Sequence, residues 1–230
     1  MVTDITEAEK AKRISADRKR TNMLRVPEQA AIAFFCRIMP PFVTPDMLTM
    51  LSLVASLIIF YGFYLAKGNP YFFAVSIAGF ALQWFGDSLD GRIAYYRGIP
   101  RKWYGFALDM CMDWASTVLM GLGFFFYLSD EYKIVAFLFI ACYAWIMILT
   151  LMKYKITGSY SIDSGLLGPT ELRIGICLVL LASMFYPQIL VFFACFIVAV
   201  VTVIDFVEFR NVLKLGDERD RAENEKKARG

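Results

Sequence analysis

Histidine is absent from the 230 residues. That removes imidazole general bases, phosphohistidine intermediates and histidine metal ligands in one step. Cysteine is sparse and scattered: Cys36, Cys111, Cys142, Cys177 and Cys195 form no CxxC pair and sit in apolar surroundings. The pattern argues against a disulfide framework or a thiolate zinc site. The first 25 residues are charged rather than apolar, which predicts no cleavable signal peptide. Net charge is only +3, too little to call for a nucleic-acid partner.

What the chain does have is apolar length. Hydrophobic residues make up 58% and aromatics 16% of it. A bilayer-spanning helix needs about 20 mostly apolar residues, and the runs predict six spans, near 46–66, 71–90, 105–128, 132–152, 170–186 and 189–209. Of the 24 Lys and Arg, all but Lys67 and Lys133 fall on one side of that arrangement. By the positive-inside rule both termini are then cytoplasmic. The fold class predicted is an all-α integral membrane protein of six transmembrane helices with an N-terminal interfacial amphipathic helix. Its parts are a basic tail (1–25), the interfacial helix (26–45, closed by Pro40 and Pro41), a membrane domain (46–213) and a charged C-terminal tail (214–230). Thr44-Pro45-Asp46 reads as an N-cap, a first helical residue and an acid at the positive helix end.

The stretch DSLDGRIAYYRGIPRKWYGFALDMCMD (Asp87 to Asp113) holds four aspartates at the edges of two apolar runs. A carboxylate at lipid depth costs about 2.5 kcal/mol or more. Asp87 and Asp90 are spaced i, i+3 and Asp109 and Asp113 i, i+4, so each pair shares a helix face. The turn-rich segment between them brings both pairs to the same side of the membrane. Four converging carboxylates repel unless cations lie between them, and all-oxygen ligation suits hard cations such as Mg²⁺, Mn²⁺ or Ca²⁺. Two such ions could clamp a diphosphate. The plainer alternative is that the aspartates pair with Arg92, Arg97, Arg101 and Lys102 at a helix end.

These residues resemble the signature of the CDP-alcohol phosphotransferases: Asp, two residues, Asp-Gly, two residues, Ala-Arg, a spacer of about eight, Gly, three residues, Asp, three residues, Asp. Asp87, Asp90, Gly91, Ala94, Gly105, Asp109 and Asp113 match it within 27 residues. Tyr95 stands where the signature has Arg, and the spacer is one residue longer. The resemblance implies transfer of a substituted phosphate from a CDP-linked donor, with CDP-diacylglycerol (CDP-DAG) the commonest, to an alcohol, with release of CMP. It implies two Mg²⁺ or Mn²⁺ ions on Asp87, Asp90, Asp109 and Asp113, with Asp113 as the base. It also implies CDP contacts at Asp90, Gly91, Ala94 and Gly105, with Arg97 substituting for the missing Arg, and a homodimer.

Residues 153–173 share the cytoplasmic side with the aspartates. Lys153, Lys155 and Arg173 could bind an anionic acceptor and Glu171 its hydroxyls; a Glu171–Arg173 ion pair is the alternative there. The motif equally serves a soluble CDP-alcohol with a lipid acceptor. A cation transporter with an acidic site is the competing class, disfavoured because the aspartates lie at span ends.

Overall fold

The computed structural model describes residues 23–158 and 168–229. The helices are α1 (Arg25–Ile38), α2 (Pro45–Ala66), α3 (Phe73–Tyr96), α4 (Lys102–Tyr127), α5 (Lys133–Thr157), α6 (Pro169–Ser183) and α7 (Gln188–Arg229), and the described residues contain no strand. Most of the basic tail, and residues 159–167 of the segment that precedes α6, lie outside the described residues.

Local sequence explains the helix ends. Thr44 accepts a hydrogen bond from the Met47 amide at 3.2 Å, with Pro45 opening α2. The span expected to close near residue 90, just before Gly91, is longer: the helix runs on to Tyr96. The stop is Gly98, at φ +72°, where the Gly98 amide donates to the Tyr95 carbonyl and the Ile99 amide to the Ala94 carbonyl. Both Asp87 and Asp90 thus lie within the helix body. α4 likewise opens at Lys102 rather than 105, and α7 continues unbroken through the charged tail.

Five helices (α2 to α5 and α7) are long and apolar enough to cross a membrane. α6, with 15 residues, is shorter than a span usually requires.

Close approach of backbones organises the bundle. A Cβ on Gly86 would stand 2.6 Å from the Leu48 carbonyl, one on Gly62 2.6 Å from the Ser76 amide, and one on Gly123 2.7 Å from the Phe60 Cα. α2 is therefore packed backbone to backbone against α3 and α4. α5 runs beside α7, with Trp145 edge-on to Phe206 at 5.0 Å.

The apolar core sits at one end. Ile59, Phe63, Phe73, Phe80, Phe124, Leu128, Ala136, Leu180 and Leu190 form one cluster where α2, α4 and α6 finish and α3, α5 and α7 begin. A second, smaller cluster joins Ile32 and Cys36 of α1 to Leu48, Leu89 and Ile93. The aspartates lie at this second end, where α1 crosses the bundle.

Candidate functional site

α3 and α4 run antiparallel through the turn at Gly98, so the last turns of one face the first turns of the other. One carboxylate oxygen each from Asp87, Asp109 and Asp113 lies within 4.8 Å of the others, all half-buried. Hard cations hold oxygen ligands at about 2.0–2.6 Å, which sets opposed ligands about 4–5 Å apart. The three carboxylates therefore fit one such ion without rearrangement of the backbone. The helical spacing that the sequence predicted produces this convergence.

Asp90 is held differently. Its Oδ2 accepts from the Thr49 hydroxyl at 2.7 Å, and its Oδ1 from the Gly91 amide. Thr49 is buried on α2, one turn after Pro45. Sequence reading passed over it; the available signal was a hydroxyl in the first turns of an otherwise apolar helix.

Gly91 and Gly105 are both helical with negative φ, and a Cβ at either would meet nothing within 4 Å. Neither turn geometry nor packing calls for glycine there. Ala94 is buried at 8% exposure, so its small size serves the α3 packing.

The basic residues take up other duties. Arg97 donates to main-chain carbonyls of the α1–α2 connection, Pro40 at 2.7 Å and Val43 closest, with Met39 and Pro41 each at 3.4 Å. Its guanidinium straps that connection to the end of α3. Arg101 pairs with Asp46 and lies over the Tyr104 ring at 4.1 Å.

Of the four residues in the 153–173 segment, Arg173 reaches the carboxylates, donating to Asp87 Oδ2 at 2.6 Å. Lys153 pairs with Glu208 of α7. Lys155 is exposed, and its carbonyl accepts from Arg219 at 2.9 Å. Glu171 accepts from the Gly168 amide at 3.0 Å and the Leu24 amide at 2.8 Å. The alternative Glu171–Arg173 pair is thereby displaced: the two side chains leave α6 for different partners. Asp205, one turn before Glu208 on α7, is fully buried at 0% exposure, and its carboxylate makes no hydrogen bond among the described residues.

Comparison with known proteins bears on this geometry. A family model described as CDP-alcohol phosphatidyltransferase matches residues 42–209. No curated protein matches the chain. Among solved structures, the fold is similar to the phosphatidylinositol phosphate synthase of Mycobacterium tuberculosis with CDP-DAG bound. That likeness has a TM-score of 0.56 and 21% identity, and it covers 82% of this chain and 94% of that one.

Proposed function

Because the chain belongs to the CDP-alcohol phosphatidyltransferase family, we propose that it moves a phosphatidyl group from CDP-DAG to a small hydroxylated acceptor, with release of CMP. The observation that carries this reading is the convergence of Asp87, Asp109 and Asp113 from two helices inside the matched region. The open glycines beside them support it. Where no internal packing requires glycine, a bare backbone leaves room for a ligand to approach. The shared fold with a protein that has CDP-DAG bound supports the lipid donor.

In this reading Asp87, Asp90, Asp109 and Asp113 hold two Mg²⁺ or Mn²⁺ ions. Bound there, such ions would supply charge neutralisation for the diphosphate and for the departing CMP. The chain's own side chains do the rest. Asp113 takes the proton of the acceptor hydroxyl as its oxygen bonds the phosphatidyl phosphorus. The bond from that phosphorus to the CMP oxygen breaks, and CMP leaves with the electron pair. Gly91 and Gly105 face the nucleotide. Arg173, already beside Asp87, supplies positive charge for an anionic acceptor. Arg97 acts in this reading as the strap of the α1–α2 connection rather than as a nucleotide contact.

The membrane arrangement belongs to the same proposal. α6 serves as a short sixth span, α1 lies in the interface, 46–213 is the catalytic domain, and the termini and aspartates face the cytoplasm in a homodimer. The excess of Lys and Arg at one end supports the sidedness.

The test is CMP release by purified protein in lipid with Mg²⁺ or Mn²⁺. CDP-DAG, CDP-choline and CDP-ethanolamine would each be offered against inositol phosphate, glycerol phosphate, serine, inositol and diacylglycerol. Release that needs CDP-DAG, an acceptor and metal, and that disappears in Asp113→Asn, is the expected result. Release only from CDP-choline or CDP-ethanolamine with diacylglycerol would assign the reverse substrate arrangement. Cation flux without CMP release would overturn the enzyme reading.

A further inference from the structure

α6 is short, yet it brings Arg173 to Asp87. Its first turn is tied to the first turn of α1 by side chains far apart in sequence. The Thr170 hydroxyl donates to Glu28 Oε1 at 2.9 Å. The Leu24 amide, at the N-cap of α1, donates to Glu171 Oε1 at 2.8 Å. The Gly168 amide, at the N-cap of α6, donates to the other oxygen of the same carboxylate at 3.0 Å. One glutamate thus caps two helix starts, each the positive end of a helix dipole. Glu28 is 6% exposed, and Ile32 and Cys36 follow it at i+4 and i+8 as the buried stripe of α1. That stripe packs on Leu89 and Ile93 of α3, on either side of Asp90 in sequence. α1 therefore touches both elements whose side chains meet at the Asp87–Arg173 pair.

We propose that Glu28, Thr170 and Glu171 are positioning residues that latch α6 to the N-terminal helix and so set Arg173 against Asp87. α1 is then part of the frame of the carboxylate site, and not only a membrane anchor. The inference rests on the metal-site reading above, and it gives Glu171 a role other than binding acceptor hydroxyls. Its physical consequence is electrostatic. A guanidinium held at Asp87 opposes cation binding to the same carboxylates. Loosening the latch frees Arg173 and strengthens that binding.

The probe is Mn²⁺ alone, titrated calorimetrically into the purified full chain without nucleotide or acceptor. Thr170→Val removes the donor with little change of shape, and Thr170→Ser restores it. The latch predicts several-fold tighter Mn²⁺ binding in Thr170→Val and in Arg173→Gln, near-parent affinity in Thr170→Ser, and no added effect of Thr170→Val on top of Arg173→Gln. Glu28→Leu is the second route to the same loosening, should Thr170→Val not fold. In turnover, the loosened variants raise the acceptor KM more than the donor KM. Parent affinity in a folded Thr170→Val or Glu28→Leu, additivity with Arg173→Gln, or a parent chain that binds no Mn²⁺ overturns the latch. A parent chain that binds Mn²⁺ but releases no CMP from any donor defeats the transferase reading alone, and the titrations still decide the latch.

Discussion

Asp113 and the two open glycines make separable predictions at the level of single residues. Asp113 is both a member of the converging triad and the proposed base. Asp113→Asn is expected to lower CMP release by about 10²-fold or more, the usual scale for losing a positioned base. Stopped assays with donor and acceptor at saturation would check it. Gly105→Val inverts the logic of a core mutation. A Cβ at that position meets no neighbouring side chain or helix within 4 Å, so the thermal midpoint should hold while the KM for the CDP-linked donor rises. An unchanged donor KM in a folded Gly105→Val would remove the nucleotide from that surface. Tyr95 is the residue at which the signature departs; it lies inside α3, while the donors of Arg97 serve the Met39–Val43 carbonyls.

At the level of elements, the contrast lies among glycines. Gly86→Leu would press a side chain into the Leu48 carbonyl and Ser52 of α2, whereas Gly175→Ala in α6 meets nothing within 4 Å. Overpacking costs about 1–3 kcal/mol or more. Gly86→Leu is therefore expected to lose folded yield by size-exclusion chromatography, with Gly175→Ala as the neutral control. Docking of α1 has its own reporter. Burial pushes the Cys36 thiol up to about 11, with Arg92 and Arg97 pulling weakly the other way. The thiolate is the reactive form, so Cys36 should resist maleimide through neutral pH and react only as the pH nears that value or the chain unfolds. Rapid labelling at neutral pH would mean that α1 is not seated on α3. The element boundaries show how far local signals reach. Thr44-Pro45 was readable because a cap is a contact three residues long. The span boundary expected near residue 90 falls inside α3 because glycine at 91 tolerates a helix interior, and only the positive φ at Gly98 marks the real stop.

For the whole molecule, the placement of the core is the instructive feature. The large aromatic and aliphatic cluster fills the end away from the aspartates. The carboxylate end is held by the smaller apolar cluster that seats α1, together with hydrogen bonds and ion pairs. Such an end can admit a charged substrate without breaching the main core. Tags on either terminus are expected to be accessible from the cytoplasmic side only, by protease protection in oriented vesicles, and accessibility of the two termini from opposite sides would exclude an even number of spans. Cross-linking in lipid is expected to trap a dimer.

Read alone, the chain already determined the all-helical, membrane-type class, the antiparallel helix pair and the convergence of Asp87, Asp109 and Asp113. Each depends on periodicity, on apolar length or on spacings of a few residues, and these survive in one dimension. Tertiary structure decided which charges meet. Arg173 and Asp87 are 86 residues apart, Glu171 and Leu24 147, Thr49 and Asp90 41. Every Arg near the motif could serve any of several acids, since charge attraction carries no address. The choice among them follows from where packed backbones carry each side chain, which is why Arg97 went to the α1–α2 carbonyls and Arg173 to the aspartates.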